Sequence, residues 1–105
     1  MPIVATVIIG FNEEGDLMLE YEIVNYDHPL ESHIKNVVVD KQEAYILTKE
    51  VNISLTQLPA YIAKKYGVQP FCQSAPSEAI ALFKEILGHF ASSGVKYEYR
   101  IKYKQ

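Results

Sequence analysis

The chain of 105 residues contains a single cysteine, Cys72, and no tryptophan. One thiol cannot form a disulfide within the chain, and a zinc site built from several cysteines is excluded for the same reason. We therefore expect a reducing compartment and take the cytoplasm as the default. No histidine is adjacent to Cys72 in the sequence, so an unreactive cysteine is the simpler interpretation of this residue.

Long apolar runs are also missing. The N-terminal run, residues 2–11, is about ten residues long, whereas a helix that spans a bilayer needs roughly 20. This run lacks the basic segment and the small-residue cleavage site of a signal peptide. The sequence thus predicts no membrane contact, and the lack of phosphate-binding glycine loops and HExxH patterns gives no reason to expect a cofactor.

Positive charge is missing from the start of the chain, which has no Lys or Arg before Lys35. With a net charge of -3, the whole chain has no electrostatic attraction for phosphates, so nucleic acid is an unfavoured partner. The closing segment differs, because it carries four basic residues: Lys96, Arg100, Lys102 and Lys104. We expect Arg100 and Lys102 to lie beside Glu20 and Glu22 across the sheet. A basic strip for an acidic protein or a nucleic acid is the functional alternative.

Strand signals begin at the N-terminus, where residues 3–11 form an almost unbroken apolar run rich in β-branched side chains. Such a run favours an extended backbone, and its lack of polar alternation predicts a strand buried on both faces. Turn residues 12–16 and the alternating residues 17–24 complete a hairpin. Further strands are predicted at 34–39 and 95–104. Because a buried first strand needs two neighbours, we expect it to lie between 17–24 and 95–104.

Three segments carry helix signals of different strength. Residues 77–91 form the clearest amphipathic helix, and we expect it to cover the sheet. Residues 56–66 form a second helix, with a proline in the first turn and a glycine after the last. Residues 41–51 are ambiguous: Asp40 and Glu43 fit a helix capping box, but the same residues could form a turn into a strand. Both interpretations stay open, with the helix favoured.

These elements predict one α+β domain over residues 1–105. A chain of this length can build one hydrophobic core. We expect a two-layer sandwich in which a mainly antiparallel sheet of four or five strands carries two or three helices on one face.

One polar loop brings candidate ligands together in the sequence: Asp27, His28, Glu31 and His33. Carboxylate oxygens and imidazole nitrogens can bind a divalent metal or act as acid and base. Their spacing matches no established ligand pattern, and loops between strands commonly collect solvated polar residues. A small enzyme or a metal-dependent site in this loop is therefore an alternative hypothesis, and no metal or cofactor is assigned.

The leading hypothesis is a small non-enzymatic binding or regulatory module that acts through a protein partner or through self-association. Its basis is the small size, the lack of a catalytic constellation and a helical layer on only one face of the sheet. If residues 3–11 lay at an edge of the sheet, the simplest explanation for their unbroken apolarity would be a second subunit.

Overall fold

The computed structural model describes residues 3–68 and 75–103, with side chains as far as Tyr99. In this part of the chain four strands and three α-helices follow one another: β1 (Ile3–Phe11), β2 (Leu17–Asn25), β3 (His33–Val39), α1 (Lys41–Val51), α2 (Leu58–Tyr66), α3 (Pro76–Ser92) and β4 (Glu98–Tyr103). Short 3-10 turns, Pro29–Glu31 and Leu55–Gln57, lie in the connections. The predicted α+β class is confirmed.

The sheet is open, and its strand order β1-β2-β3-β4 follows the chain. Each neighbouring pair is antiparallel, and β1 pairs with β2 without a break from Ile3 opposite Asn25 to Phe11 opposite Leu17. The prediction that the first strand lies between the second and the last is therefore wrong. Among the described strands, β1 is at one edge of the sheet and β4 is at the other.

A contact between distant residues accounts for the position of β4. The backbone N–H of Lys96 donates to Oε1 of Glu43 over 2.9 Å. Glu43 lies in the first turn of α1, which follows directly on β3, so the start of β4 is held at the end of β3. The segment before β4 is also tied to α3, because the N–H of Val95 donates to the carbonyl of Phe90. For this reason β4 begins at Glu98 and not at Val95 as predicted.

The hairpin between β1 and β2 has the predicted turn. The N–H of Asn12 donates to the carbonyl of Asp16, and the N–H of Gly15 donates to the carbonyl of Asn12. Gly15 has a φ of 83°, a conformation that costs a glycine little because it has no Cβ. The turn therefore needs glycine at this position.

The core lies between one face of the sheet and the three helices. Alternate strand residues supply its sheet side: Ala5, Val7, Leu17, Leu19, Tyr21, Ile23, Val37 and Val39. Phe83 and Phe90 of α3 are the largest fully buried side chains, and α3 packs on β1 and β2 as the sequence predicted. Burying each such side chain contributes roughly 1.5–3 kcal/mol before conformational entropy is subtracted.

The ambiguous segment after β3 is a helix. The carboxylate of Asp40 caps α1 by accepting the N–H of Gln42 over 2.9 Å. Glu43 does not complete the predicted capping box in the described contacts, since its carboxylate accepts the Lys96 N–H. The second helix also agrees with its prediction, with Pro59 in the first turn of α2 and Gly67 as its left-handed C-cap.

Candidate interaction surface

The sheet has a second face that the described helices do not cover. Its residues alternate with those of the core: Val4, Thr6, Ile8 and Gly10 on β1, Met18, Glu20, Glu22 and Val24 on β2, and Ile34, Asn36 and Val38 on β3, with Glu98, Arg100 and Lys102 at the matching positions of β4. We call this set the open face. The buried side chains of all three helices join the core on the opposite side of the sheet.

The open face explains why β1 is apolar throughout although it is an edge strand. Ala5 and Val7 point into the core, while Val4 and Ile8 belong to the open face. Ile8 retains 48% of its accessible surface, which is a large fraction for an isoleucine in a strand. A strand covered on one side only would alternate apolar and polar residues, so the second apolar set indicates a surface that can be covered.

The outer edge of β1 is a weaker candidate for a contact surface than the open face. The N–H of Asn12 bonds to Asp16 across the hairpin, and in an antiparallel pair the residues along a strand bond alternately to the partner strand and away from it. Counted back from Asn12 along β1, Ala5 is one of the residues whose N–H and C=O point away from β2. Ala5 nevertheless has no accessible surface at all. This edge is therefore covered within the chain at Ala5, and a partner strand cannot pair along its whole length.

Charge is unevenly distributed across the open face. Glu20 lies opposite Asn36 on β3, and Asn36 lies opposite Arg100 on β4. The next row runs in the same way from Glu22 through Ile34 to Lys102. The prediction that Glu20 and Glu22 lie beside Arg100 and Lys102 is wrong, because β3 lies between β2 and β4.

Glu20 of the open face is hydrogen-bonded to a residue of the neighbouring strand. The amide Nδ2 of Asn36 donates to Oε1 of Glu20 over 3.1 Å, which fixes the carboxylate near the centre of the face. On the open face, acidic residues therefore lie on β2 and an amide lies on β3, while Glu98, Arg100 and Lys102 occupy the register positions of β4.

Of the other two predicted basic residues, Lys96 and Lys104, the structure describes only Lys96. Lys96 precedes β4, is exposed and contributes its backbone N–H to the contact with Glu43. Lys104 lies outside the described residues, as do the side chains of Arg100 and Lys102 and the whole of Cys72.

The polar loop predicted as an alternative site is organised by Asn25, a residue that sequence reasoning did not single out. Its Oδ1 accepts the N–H groups of Asp27 and His28, and its Nδ2 donates to Oε2 of Glu31. Asn25 is buried, while Asp27 and His28 are exposed. An asparagine at the end of a strand whose side-chain oxygen accepts the N–H groups two and three residues later is a recognisable turn signal.

The remaining member of that loop, His33, faces the helix side of the sheet. Its Nε2 lies 3.0 Å from the hydroxyl of Tyr21, and its Nδ1 lies 3.3 Å from the carbonyl of Glu31. In the described ranges, no group of three or more His, Cys, Asp and Glu side chains is placed to hold a metal ion. Asp27, His28 and Glu31 therefore lie in the loop, whereas His33 begins β3 and contacts Tyr21.

An acidic groove of about 290 Å³ lies where the hairpin turn, α1 and the start of β4 meet. Its lining residues are Glu14, Asp16, Val38, Asp40, Glu43, Lys96, Tyr97 and Glu98. Three of the carboxylates already bind backbone N–H groups: Asp16 that of Lys41, Asp40 that of Gln42 and Glu43 that of Lys96. These three carboxylates therefore have a structural role: they cap α1 and connect it to the hairpin turn and to the segment before β4.

His89 joins the three helices, although its sequence position predicted an ordinary surface residue. Its Nδ1 lies 2.7 Å from the hydroxyl of Tyr66 on α2, and its Nε2 lies 3.6 Å from a carboxylate oxygen of Glu50 on α1. Burial raises the pKa of the Tyr66 phenol, and the carboxylate of Glu85 adds to this effect. A tyrosine with a raised pKa stays protonated at neutral pH, so the arrangement fits a structural contact better than a nucleophile.

Comparison with models of protein families, with curated proteins and with solved structures finds no match. In the segments that the structure describes, no helix combines the length and the apolarity needed to cross a membrane.

Proposed function

We propose that this chain is a non-enzymatic binding module that acts through protein–protein contacts, and that the open face of the sheet is its contact surface. The observation that carries the proposal is the second set of apolar side chains on the open face, above all on β1 and β3. Interfaces of this type combine an apolar centre with a polar rim.

The composition of the open face supports this function. Its apolar residues outnumber its charged residues on β1, β2 and β3, whereas a solvated face of an antiparallel sheet is usually polar. Layered domains of this kind bury both faces of a sheet when a second layer is available. A protein partner can supply that layer. Neither alternative predicted from the sequence, an enzyme at the 27–33 loop or a nucleic-acid binder, has a comparable observation in its favour.

A lysine at position 38 tests the proposal. Val38 belongs to the open face and lies opposite Met18 on β2 and Glu98 on β4. The matched control is Tyr45→Lys, which adds the same charge at an exposed position on α1. We expect Val38→Lys to lose self-association or partner binding that the wild type and Tyr45→Lys retain, at equal thermal stability.

The readouts are light scattering on the purified chain and affinity capture with each variant as bait. Equal binding by Val38→Lys and wild type would show that the open face is not the contact surface. A wild type that stays monomeric and captures no protein would also overturn the proposal.

A further inference from the structure

We infer that the partner on the open face is a segment of another protein that combines an apolar side chain with Lys or Arg a few positions away. The inference rests on the proposed function, since it names the chemistry of the partner for the same surface. It follows from the position of the exposed apolar residues of the open face relative to the carboxylates around them.

The apolar residues of the open face nearest the hairpin turn form one patch: Ile8, Gly10, Met18 and Val38. We call this set the hairpin patch. Gly10 lies opposite Met18, and Met18 lies opposite Val38, so the patch crosses three strands in one row, with Ile8 next to Gly10 along β1. Ile8 is exposed, and a Cβ at Gly10 would have no other atom within 4 Å. The space over Gly10 can therefore accept an apolar side chain from a partner.

The acidic groove continues the hairpin patch at Val38, which belongs to both. Five carboxylates and one lysine, Lys96, line the groove, and the ammonium of Lys41 lies near Gly15 in the hairpin turn. The groove is therefore negative overall. A carboxylate can accept several hydrogen bonds, so the three that bind backbone N–H groups still attract a cation from outside.

Carboxylates border the hairpin patch on two sides. Glu20 lies opposite Ile8, towards the middle of the sheet, and its Oε1 is held by the amide of Asn36. Glu14 lies on the side of the turn, where it lines the groove. In the part of the chain that the structure describes, the Glu14 carboxylate forms no hydrogen bond or ion pair. A partner cation can therefore bind Glu14 without breaking a described contact.

This arrangement is complementary to an apolar side chain with basic neighbours. An apolar centre excludes water, while charges of opposite sign at the border favour the right partner and the right orientation. Because the border on both sides is acidic, the partner residues that surround its apolar side chain should be Lys or Arg.

The geometry of the sheet also predicts the spacing of these partner residues. Ile8 lies on β1 and Val38 on β3, two strand spacings apart, which is roughly 10 Å. An extended segment covers about 3.3 Å per residue, so about three residues span this distance. We therefore expect Lys or Arg about three positions from the apolar residue that contacts Ile8.

A second copy of this chain is a less favourable partner for the hairpin patch. A two-fold contact presents the same surface from both sides, so the acidic border of one copy would approach that of the other. Like charges across an interface disfavour such a contact. The net charge of -3 on each chain acts in the same direction.

Selection from a phage-displayed library of random peptides, with the immobilised full chain as target, tests the chemistry of the partner. We expect the selected peptides to be enriched in Lys and Arg, with an apolar residue about three positions away. The strongest binder is then synthesised, and its dissociation constant is measured by fluorescence anisotropy. Selected peptides without an excess of positive charge would overturn the inference, as would a selection that yields no binder.

A first pair of variants places the selected peptide on the hairpin patch. Ile8→Thr keeps a β-branched residue in β1 and removes apolar surface, so the peptide should bind about tenfold more weakly. The matched control is Leu30→Thr, which makes a similar change at an exposed position in the loop before β3. This control should bind as the wild type does. Equal affinity of the two variants would show that the peptide does not contact Ile8.

A second pair of variants tests the charge. Glu14→Lys reverses the charge of a groove residue and should weaken binding about fivefold, with less dependence on salt than in the wild type. Glu78→Lys makes the same change in net charge at an exposed position on α3 and should bind as the wild type does. Thermal unfolding confirms that each variant folds. Equal affinity of Glu14→Lys and Glu78→Lys overturns the inference.

The outcomes separate this inference from the proposed function. A protein or peptide that Val38→Lys no longer binds but Glu14→Lys binds as well as the wild type overturns the basic partner alone. A wild type that dimerises through the open face and binds no basic peptide does the same. Binding that neither Val38→Lys nor Ile8→Thr weakens overturns both proposals.

Discussion

The hydroxyl of Ser32 accepts the backbone N–H of Asn25 over 2.8 Å, and both residues are buried. This bond lies at the end of β2, where the loop leads into β3. Ser32→Ala leaves the N–H of Asn25 without its acceptor in a place that water does not reach. We expect this substitution to lower the free energy of unfolding by about 1–3 kcal/mol. Urea denaturation followed by circular dichroism measures the change.

The control for this prediction is Ser77→Ala on the exposed first turn of α3. It removes the same hydroxyl at a surface position, so its effect should lie within about 0.5 kcal/mol. If the two alanine variants unfold at the same urea concentration, the buried bond between Ser32 and Asn25 contributes nothing measurable.

The N-cap of α1 gives a second prediction. Asp40 accepts the N–H of Gln42, which has no partner within the helix. Asp40→Ala removes this acceptor and should cost about 1 kcal/mol of unfolding free energy. Asp40→Asn keeps a side-chain oxygen at the same position and should stay within a few tenths of a kcal/mol of the wild type. Chemical denaturation of all three proteins provides the comparison.

The asparagine variant separates the hydrogen bond from the charge. If Asp40→Asn were as unstable as Asp40→Ala, the charge of the carboxylate and not its acceptor oxygen would stabilise α1. Salt would then reduce the difference between wild type and variant, because it screens charges near the surface.

The elements that the sequence predicted well are those determined by neighbouring residues. The β1–β2 hairpin follows from Gly15 and the flanking apolar residues, and α3 follows from the spacing of Phe83 and Phe90. The order of the strands depends instead on contacts between distant residues, such as the bond from Lys96 to Glu43. No local pattern marks this bond, and so the position of β1 was predicted wrongly.

The candidate surface was predictable in part. Alternation on β2 placed Glu20 and Glu22 on one face, and that assignment does not depend on the neighbouring strand. The apolar run of β1 was predicted to be buried on both faces, but the described helices cover one face only, and Ile8 on the other face stays exposed. The junction at His89 had no signal in the sequence, because Tyr66 and Glu50 approach it from two other helices.

Tyr66 provides a prediction about alkaline pH. Burial, followed by the negative charge of Glu85, raises the pKa of its phenol above the ordinary value of about 10. The unfolded chain therefore releases this proton at lower pH than the folded chain does. The resulting stabilisation is complete below pH 10 or so and is lost as the pH rises through the folded-state pKa. We expect the stability difference between wild type and Tyr66→Phe to decrease over that interval.

Phenolate absorbance, with the exposed Tyr26→Phe as control, gives the pKa itself. A tyrosine signal that is lost in Tyr66→Phe and has its midpoint at or below 10 would contradict the prediction.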